Sequence, residues 1–273
     1  MSIVALCKAV EMSRQNFYKT RKVRGRQRVN EGLVKRLVEA ERAEQPRLGG
    51  LKLHSMLRGN LASEDVVLGR DRFFEVLRNQ GLLLEPLPKA PRTTNSSHAL
   101  PVFTNLLHDL ELSGPNQVLV SDITYIRTCE DFAYLSLITD KYSRKIVGYH
   151  LGQTLNTVDT LKALDMALRE LPGDTFPVHH SDRGSQYCSH AYVNRLTTRG
   201  LSVSMTEEDH CAENALAERM NGILKQEYSL NHTFRTVAQA RKAVEQAVHL
   251  YNTRRPHRSL KLQTPEQVHQ KAA

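Results

Sequence analysis

The pattern of apolar and polar residues divides the chain into three parts. Residues 1–84 carry apolar residues at helical spacing, residues 85–116 are rich in proline, serine, threonine and asparagine, and strand-like apolar runs begin at Val118. Helical spacing predicts helices, apolar runs between turn residues predict strands, and the middle composition is typical of a linker. The sequence therefore predicts a helical region and a region of mixed structure, joined by a linker at 85–116.

The first 84 residues predict two small helical units. Residues 1–28 predict a short helix from Val4 to Val10, a turn, and a second helix that begins after Ser13, a residue type that caps helices well. This arrangement resembles part of a helix-turn-helix. Residues 29–84 predict a second helical unit, with a break at Gly49-Gly50 and an end at Gly81. A DNA-binding-like domain is the preferred interpretation, and a helical bundle without DNA contacts is the alternative.

Residues 117–231 predict a fold in which strands come first and helices then alternate with strands. The predicted strands are Val118 to Arg127, Phe132 to Thr139, Lys145 to Leu151, Phe176 to Ser181 and Leu201 to Met205. The predicted helices are Val158 to Leu171, His190 to Arg199 and about Ala212 to Tyr228. This order indicates an α/β fold, a mixed sheet flanked by helices. Residues 232–273 predict a C-terminal basic helical segment, with a capping box at Thr236 and Gln239.

The positive charge of the chain is concentrated at its two ends. Lysine and arginine number 38 against 29 acidic residues, a formal net charge of +9. Residues 1–28 hold eight basic residues and one glutamate, and residues 219–258 hold eight basic and two acidic residues. Two basic clusters around one core favour nucleic acid as the partner over a merely solvated surface. The candidate DNA contacts in these clusters are Arg14, Lys19, Arg21, Lys22, Arg254, Arg255 and Arg258.

Membrane and disulfide architectures are not indicated. The chain has no run of eighteen apolar residues, and its start lacks the features of a signal peptide, so a cytoplasmic protein without a membrane partner is predicted. The four cysteines lie far apart without a C-x-x-C pair, which indicates reduced thiols. A zinc cluster is a weak alternative because the spacings match no recognised site. Its members would be His179, His180, His210, Cys188 and Cys211.

Two aspartates belong to predicted strands. Asp122 lies within an apolar strand, on the same face as Val120 and Ile126, where an unpaired carboxylate would cost several kcal/mol. A metal cation is one strong partner for such a group, and a turn or an arginine is the alternative. Asp182 closes the fourth strand, where Asp-x-Gly is also ordinary turn chemistry.

A glutamate follows in the long helix before Tyr228. At about 100° per residue, Leu216, Met220, Ile223 and Leu224 form a core-facing stripe. Glu218 falls on the opposite side together with Asn214, Asn221 and Lys225, which predicts an open polar face. A solvated helix surface is the simpler explanation when this segment is considered alone.

The short sequence motifs around these three acidic residues point to a family. They are DITYI at 122–126, HSDRGSQY at 180–187, ENALAE at 213–218, and the C-terminal set of YN at 251–252, RPHRSL at 255–260 and TPE at 264–266. In this order they resemble the bacterial insertion-sequence transposases with an integrase-like catalytic core, the second-frame proteins of such elements. The resemblance covers roughly residues 30 to 268.

The resemblance implies a fold, a site and a function. The expected fold is ribonuclease-H-like, with Asp122, Asp182 and Glu218 converging on two Mg²⁺ or Mn²⁺ ions. The expected activity is DNA strand cleavage followed by transfer of the freed 3′ end, with transposon ends and target DNA as partners. A homo-oligomer on DNA and an upstream first-frame helix-turn-helix protein are further expected partners. A nuclease of the same fold that does not join strands, and a DNA-binding regulator with an inactive core, are the alternatives.

The sequence differs from the family at two places, and one lysine is predicted to extend the site. Leu119 replaces a tryptophan that the family often has, and Glu207-Glu208-Asp209-His210 replaces a Lys-Gly segment, which places acidic residues near a phosphate-binding site. Lys225 follows Glu218 by two helical turns, about 10 Å along the axis. It is therefore predicted, with Asn214 and Asn221, to contact the DNA backbone.

Overall fold

The computed structural model describes residues 3–85, 100–108, 110–207 and 213–271, and for residues 22–29 only the backbone. It contains two compact units, residues 1–85 and residues 86–273. The division falls where the sequence predicts the linker to begin. Residues 86–99 and 109 of that linker lie outside the described residues.

The first unit contains four helices. They are α1 (Ile3–Ala9), α2 (Arg14–Glu44), α3 (Gly50–Ser63) and α4 (Arg70–Asn79). Ser13 caps α2 as predicted, since its side chain accepts a 3.1 Å hydrogen bond from the amide of Asn16. Helix α2 continues through residue 28, where the sequence predicts a boundary between two units. No proline interrupts it, and an isolated glycine in a helix costs only about 1 kcal/mol, which packing can offset.

Helices α2, α3 and α4 enclose a small apolar core. Val34 and Val38 from α2, Leu53 and Leu57 from α3, and Phe73 from α4 are buried together. A Cβ on Gly50 would lie 2.9 Å from the ring of Phe74, so a larger residue at this position would require that ring to shift. Gly81 adopts φ +66 just after α4, which is the left-handed conformation predicted for this helix end.

The second unit is built on a five-stranded mixed sheet. The strands are β1 (Val118–Arg127), β2 (Phe132–Asp140), β3 (Ile146–Gly152), β4 (Val178–Ser181) and β5 (Ser202–Met205), in the order β3-β2-β1-β4-β5. β1, β2 and β3 are antiparallel neighbours, whereas β4 is parallel to both β1 and β5. The predicted α/β class with a ribonuclease-H-like mixed sheet is confirmed.

Helices cover both faces of this sheet. They are α5 (Thr157–Glu170), α6 (Ser185–Cys188), α7 (His190–Thr198), α8 (Ala215–Glu227), α9 (Val237–Thr253) and α10 (Pro265–Lys271), with a 3₁₀ turn at Arg258–Leu260. On one face Leu119 and Ile138 of the sheet pack with Leu164 of α5 and Leu196 of α7. On the other face the sheet packs against Met220 of α8 and neighbouring residues of α9. The central strand β1 is therefore enclosed on both sides.

The C-terminal segment 232–273 is part of the second unit. Asn252 near the end of α9 pairs with the edge strand β3, because its side chain accepts from the amide of Ile146 and donates to the carbonyl of the same residue, each at 2.9 Å. Thr236 caps α9 through the amide of Gln239. The reciprocal bond of the predicted capping box is absent from the described residues, because the Gln239 side chain accepts from Arg235 instead.

No helix in the described ranges is long and apolar enough to cross a membrane. Cys7, Cys129 and Cys188 are free thiols, and Cys211 lies outside the described residues.

Candidate active site

Strand pairing brings the two aspartates to the same edge of the sheet. Val120 of β1 is the parallel partner of His180 of β4, and each aspartate follows two residues later. Parallel neighbouring strands leave the sheet in the same direction, so Asp122 and Asp182 become close although sixty positions separate them. The structure thus confirms that the strands bearing these two residues are neighbours.

The carboxylate of Asp122 is oriented by two donors. Its Oδ1 accepts a 2.8 Å hydrogen bond from the amide of Ile123, and its Oδ2 accepts a 2.7 Å bond from Nδ2 of Asn221 on α8. Both bonds favour the ionised carboxylate and fix its rotation. The sequence predicts that this carboxylate needs a partner. One of its partners is the side-chain amide of Asn221, which comes from a helix distant in sequence.

Asp182 is oriented by the turn that follows β4. Its Oδ1 accepts a 3.0 Å hydrogen bond from the amide of Gly184. A Cβ on residue 184 would lie 3.0 Å from the same oxygen, so a glycine lets the backbone approach the carboxylate. The Asp-x-Gly turn chemistry considered from sequence is present, and it leaves Asp182 facing the same cleft as Asp122.

The two aspartates line an open cleft of about 680 Å³. Thr124, Tyr125 and Tyr134 form part of its wall on the sheet side, and residues 184–187 form part of the other wall. Tyr187 is buried in this wall, and its hydroxyl has no hydrogen-bond partner within the described part of the chain. Tyr187 belongs to one of the family's sequence motifs, but the sequence alone suggests no role for it. Its position near Asp122 depends on the turn after β4.

Electrostatic repulsion is concentrated at Asp122. Burial is the main cause that raises the pKa of Asp122 to about 7, and the charge of Asp182 and then that of Glu218 add to it. The hydrogen bonds from Ile123 and Asn221 lower the pKa but do not outweigh burial. A carboxylate with this environment is stabilised by any cation that enters the cleft.

Glu218 is near this cleft but does not line it with the aspartates. It lies in the first turn of α8, is exposed, and borders a neighbouring groove with Arg219 and Gly222. In the ranges that the structure covers, no three acidic, histidine or cysteine side chains already form a metal-binding arrangement. The structure therefore brings Asp122 and Asp182 together, with Glu218 close enough to influence the charge of Asp122.

The predicted open polar face of α8 is wrong for two residues. Asn214 and Asn221 are only 2% and 6% exposed. Asn214 donates to the backbone carbonyl of Ser121 at 3.1 Å, and Asn221 donates to Asp122. Their amides face β1 beside buried Ala217, so the helix is rotated from the predicted orientation. This burial gives no support to direct DNA contacts by either asparagine.

Lys225 remains at the margin of the site. Its ammonium lies 4.2 Å from the centre of the Tyr125 ring, and the side chain is half-buried. Burial lowers the pKa of Lys225, while the nearby charge of Asp122 opposes this change. Sequence analysis missed Tyr125, whose aromatic face provides the surface on which the lysine is placed.

The basic residues of the termini differ in exposure. Arg255 is 3% exposed and forms a two-bond ion pair with Glu227, at 2.7 and 2.8 Å. The prediction of an available phosphate contact is therefore wrong for Arg255 in this structure, because its guanidinium has an internal partner. The other candidates are exposed, namely Arg14, Lys19, Arg21, Arg254 and Arg258. The side chain of Lys22 lies outside the described residues.

The residues of the zinc alternative have other partners. Nε2 of His179 lies 2.7 Å from the hydroxyl of Ser121 and 3.0 Å from that of Tyr192, and His180 pairs with Ser204. Burial is the main cause that lowers the pKa of His179 to about 3 and that of His180 to about 4, so both rings are neutral. The remaining candidates His210 and Cys211 lie outside the described residues.

The residues present fit a hard divalent cation. Asp122 and Asp182 supply carboxylate oxygens to one cleft, and Asn221 has a buried Oδ1 without a partner among the residues described. Oxygen ligands of this kind suit Mg²⁺ or Mn²⁺ better than zinc. The repulsion that raises the pKa of Asp122 is a further feature that a cation would relieve.

Comparisons with known proteins identify the family of the chain. Two models described as integrase core domain match residues 113–211 and 199–265. The chain is 37% identical over 223 residues to the insertion element IS600 uncharacterized 31 kDa protein of Shigella sonnei, covering 80% of this chain and 82% of that protein. It is 31% identical over 231 residues to the transposase InsF for insertion sequence IS3A of Escherichia coli (strain K12), covering 83% and 79%.

A solved structure shows the same fold at low sequence identity. A chain of the simian T-cell lymphotropic virus intasome in complex with PP2A regulatory subunit B56 gamma aligns with a TM-score of 0.50 and 18% identity, covering 81% of this chain and 74% of that one.

Proposed function

The chain belongs to the insertion-sequence transposases with an integrase core, and from this premise we propose that Asp122, Asp182 and Glu218 are its catalytic carboxylates. The enzyme is a polynucleotidyl transferase that acts in transposition. The observation that carries the residue assignment is the shared cleft of Asp122 and Asp182, together with the raised pKa of Asp122. Glu218 is the third member because its charge contributes to that pKa and its helix supplies Asn221 to the same carboxylate.

The proposed cofactor is a pair of Mg²⁺ or Mn²⁺ ions held by the three carboxylates. When bound, two such ions activate an attacking oxygen and stabilise the leaving oxygen of an in-line displacement. Metal dependence is a property of the integrase-core family. The identity and number of the ions are part of the proposal.

The protein residues act by holding oxygens in place. Ile123 and Asn221 fix Asp122, and Gly184 fixes Asp182, so the ligands need little rearrangement. In cleavage, water attacks the phosphorus and the bond to the 3′ oxygen breaks, which leaves a 3′-hydroxyl. In strand transfer, that hydroxyl attacks a target phosphorus, and the target 3′ oxygen leaves. Neither step requires a covalent intermediate with the protein.

The proposed DNA path runs along the open side of α8 and over exposed basic residues. Lys225 is placed beside Tyr125 and within the electrostatic influence of Asp122, so it is positioned to hold the backbone of the scissile strand. The exposed arginines Arg254 and Arg258 are further candidates, as are Arg14, Lys19 and Arg21 in the first unit. These contacts bind phosphate and carry no base specificity.

The proposal extends to partners. The substrates are transposon ends and target DNA, which the protein joins as a homo-oligomer on DNA. A first-frame helix-turn-helix protein from the same element is a further proposed partner. We place the activity in the bacterial cytoplasm, on the nucleoid when DNA is bound.

The test of the proposed site uses variants that remove charge and preserve shape. Asp122→Asn, Asp182→Asn and Glu218→Gln are each expected to abolish cleavage of labelled donor ends and their joining to a plasmid, while end binding is retained. Asp165→Asn is the matched control, since the Asp165 carboxylate pairs with Arg195 on other helices. Full activity of any of the three variants with Mg²⁺ or Mn²⁺ would overturn the assignment. Cleavage by the parental protein without joined product would instead favour the nuclease alternative.

A further inference from the structure

A short segment before β1 contacts both elements that carry the later two carboxylates. We call residues 103–107 the strap. Phe103 at its start packs against the apolar cluster on the α5 and α7 face of the sheet. Leu107 at its end packs in the cluster of Val118, Val120 and Ala217, the last of which immediately precedes Glu218. The strap is therefore held to the core by apolar contacts at both ends.

Asn105 in the middle of the strap makes hydrogen bonds through its side-chain oxygen, its side-chain nitrogen and its backbone amide. Its Oδ1 accepts from the amide of Leu107 at 2.9 Å, which orients the side-chain amide. Its backbone amide donates to Oε1 of Glu207 at 2.8 Å, and its Nδ2 donates to Oε2 of Glu213 at 3.1 Å. The same oxygen of Glu213 also accepts from the amide of Glu207. One asparagine thus connects two acidic residues that lie between β5 and α8.

These two glutamates flank the junction between β5 and α8. Glu207 stands two residues after the end of β5, and Glu213 stands two residues before the start of α8. Glu218 follows Glu213 by five positions, within the first turn of the helix. Fixing Glu213 therefore fixes the start of the helix that presents Glu218.

A neighbouring hydrogen bond extends the connection to β4. The amide of Leu106 donates to the hydroxyl of Ser204 at 2.9 Å, and the same hydroxyl lies 2.9 Å from Nδ1 of His180. Ser204 and His180 are both fully buried. His180 precedes Asp182 by two positions. The strap is therefore connected to β4, which leads to Asp182, and to α8, which contains Glu218.

We propose that Asn105 is a positioning residue that sets the placement of α8, and through it the placement of Glu218 relative to the two aspartates. This inference rests on the proposed role of Glu218. It also assigns a role to Glu207, one of the acidic residues that replace Lys-Gly of the family. The carboxylate of Glu207 accepts a hydrogen bond from the backbone amide of Asn105, so it anchors the middle of the strap.

The first test replaces Asn105 in the full chain. Asn105→Ala is expected to lower the single-turnover rate of donor-strand cleavage about 10- to 100-fold, because misplacement of a catalytic group by about 1 Å has an effect of this size. The Kd for transposon ends is expected to stay within about twofold of the parental value. Hydrogen exchange of backbone amides in the first turn of α8 is expected to become faster. Asn156→Ala is the matched control, since Asn156 is exposed and its side chain makes no capping bond.

A swap of donor and acceptor tests the bond itself. Asn105→Asp alone places a carboxylate against Glu213 and is expected to be at least as slow as Asn105→Ala. Adding Glu213→Gln supplies a side-chain donor toward Asp at 105 and removes the repulsion between the two carboxylates, so cleavage is expected to recover in part, since the amide of Glu207 loses the oxygen that it shares with Asn105. Parental or faster cleavage by Asn105→Ala, or equal rates for Asn105→Asp and the double variant, would overturn the proposal. Glu218→Gln, measured in parallel, separates the outcomes, since its full activity would overturn the proposed function instead.

Discussion

Asn221 on α8 donates a 2.7 Å hydrogen bond to Oδ2 of Asp122 on β1, joining two elements whose residues are 99 positions apart. The bond favours the ionised form of Asp122, whereas burial, Asp182 and Glu218 favour the protonated form and together raise its pKa to about 7. Without a bound metal ion, the ionised form of Asp122 is therefore under electrostatic strain at neutral pH.

This strain predicts how metal-free stability depends on pH. The folded pKa of Asp122 is raised above the ordinary value of 3.8, so its contribution is most favourable below about 4 and is lost as pH rises toward about 7. Asp122→Asn removes that loss. At pH 8 without divalent metal, the variant is expected to be more stable than the parental protein by about 1–3 kcal/mol. At pH 4 the difference is expected to be small.

The measurement is the free energy of unfolding of both proteins from pH 4 to pH 8. His179 and His180 are neutral in the folded protein, so their contribution to the free energy of unfolding decreases as pH falls below about 6.5. This decrease is the same in both proteins and cancels when they are compared. Mg²⁺ or Mn²⁺ at pH 8 is expected to stabilise the parental protein more than Asp122→Asn. A pH-independent difference between the two proteins would contradict the raised pKa.

Lys225 is expected to contribute to DNA binding without contributing to base recognition. Lys225→Ala is expected to weaken binding and slow joining on specific and random ends alike, and to reduce the slope of log K against log salt by roughly 0.9. Lys225→Glu is expected to have a larger effect through repulsion. Lys242→Ala on α9 is the control, since Lys242 is exposed and lies in a different groove. Parental joining rates for Lys225→Glu in low salt, where screening is least, would show that Lys225 is only a surface residue.

Arg255 is expected to affect stability more than DNA affinity. Arg255→Ala removes the two-bond ion pair with Glu227 from a largely buried place, a change that typically costs about 3–5 kcal/mol. Chemical denaturation is expected to detect this loss, whereas Arg254→Ala, at an exposed neighbouring position, is expected to change stability by less than about 0.5 kcal/mol. A reduced salt slope of DNA binding with unchanged stability in Arg255→Ala would contradict the structural role.

The first unit is expected to supply much of the affinity for DNA. A fragment of residues 100–273 keeps the strap and the core but lacks the exposed basic residues Arg14, Lys19 and Arg21. Its binding to duplex DNA is expected to be weaker, with a shallower salt dependence, because each lost phosphate contact removes roughly 0.9 from the slope. The check is a titration of the fragment and the full chain from low to moderate salt. Equal slopes would show that the basic residues of the first unit do not bind phosphate.

Local chemistry in the sequence was sufficient to predict most elements. β1 has the predicted bounds, and Ser13 and Gly81 mark the helix ends that their residue types favour. Strand period also placed Val120 and Ile126 on one buried face. These features depend on neighbours within a few residues, so one sequence contains the information that determines them.

The sequence motifs of the family were the basis for proposing the acidic residues of the site. Asp122, Asp182 and Glu218 were identified from the words around them, and the pairing of β1 with β4 confirms that the two aspartates are neighbours. No pattern in the sequence pointed to Asn105, because its partners lie 102 and 108 positions away. Its residue type is also common in ordinary turns.

The sequence by itself determined most of the helices and strands, the α/β class and the acidic residues that are proposed for the site. Only the tertiary structure decided which sector of α8 faces the sheet, and with it that Asn214 and Asn221 are buried and Glu218 is exposed. Helical periodicity gives the angles between side chains around an axis but leaves the rotation of that axis against the sheet undetermined. Polar residues in the covered sector are stable there because distant groups accept hydrogen bonds from their side-chain amides, as Asp122 does for Asn221 and the carbonyl of Ser121 does for Asn214.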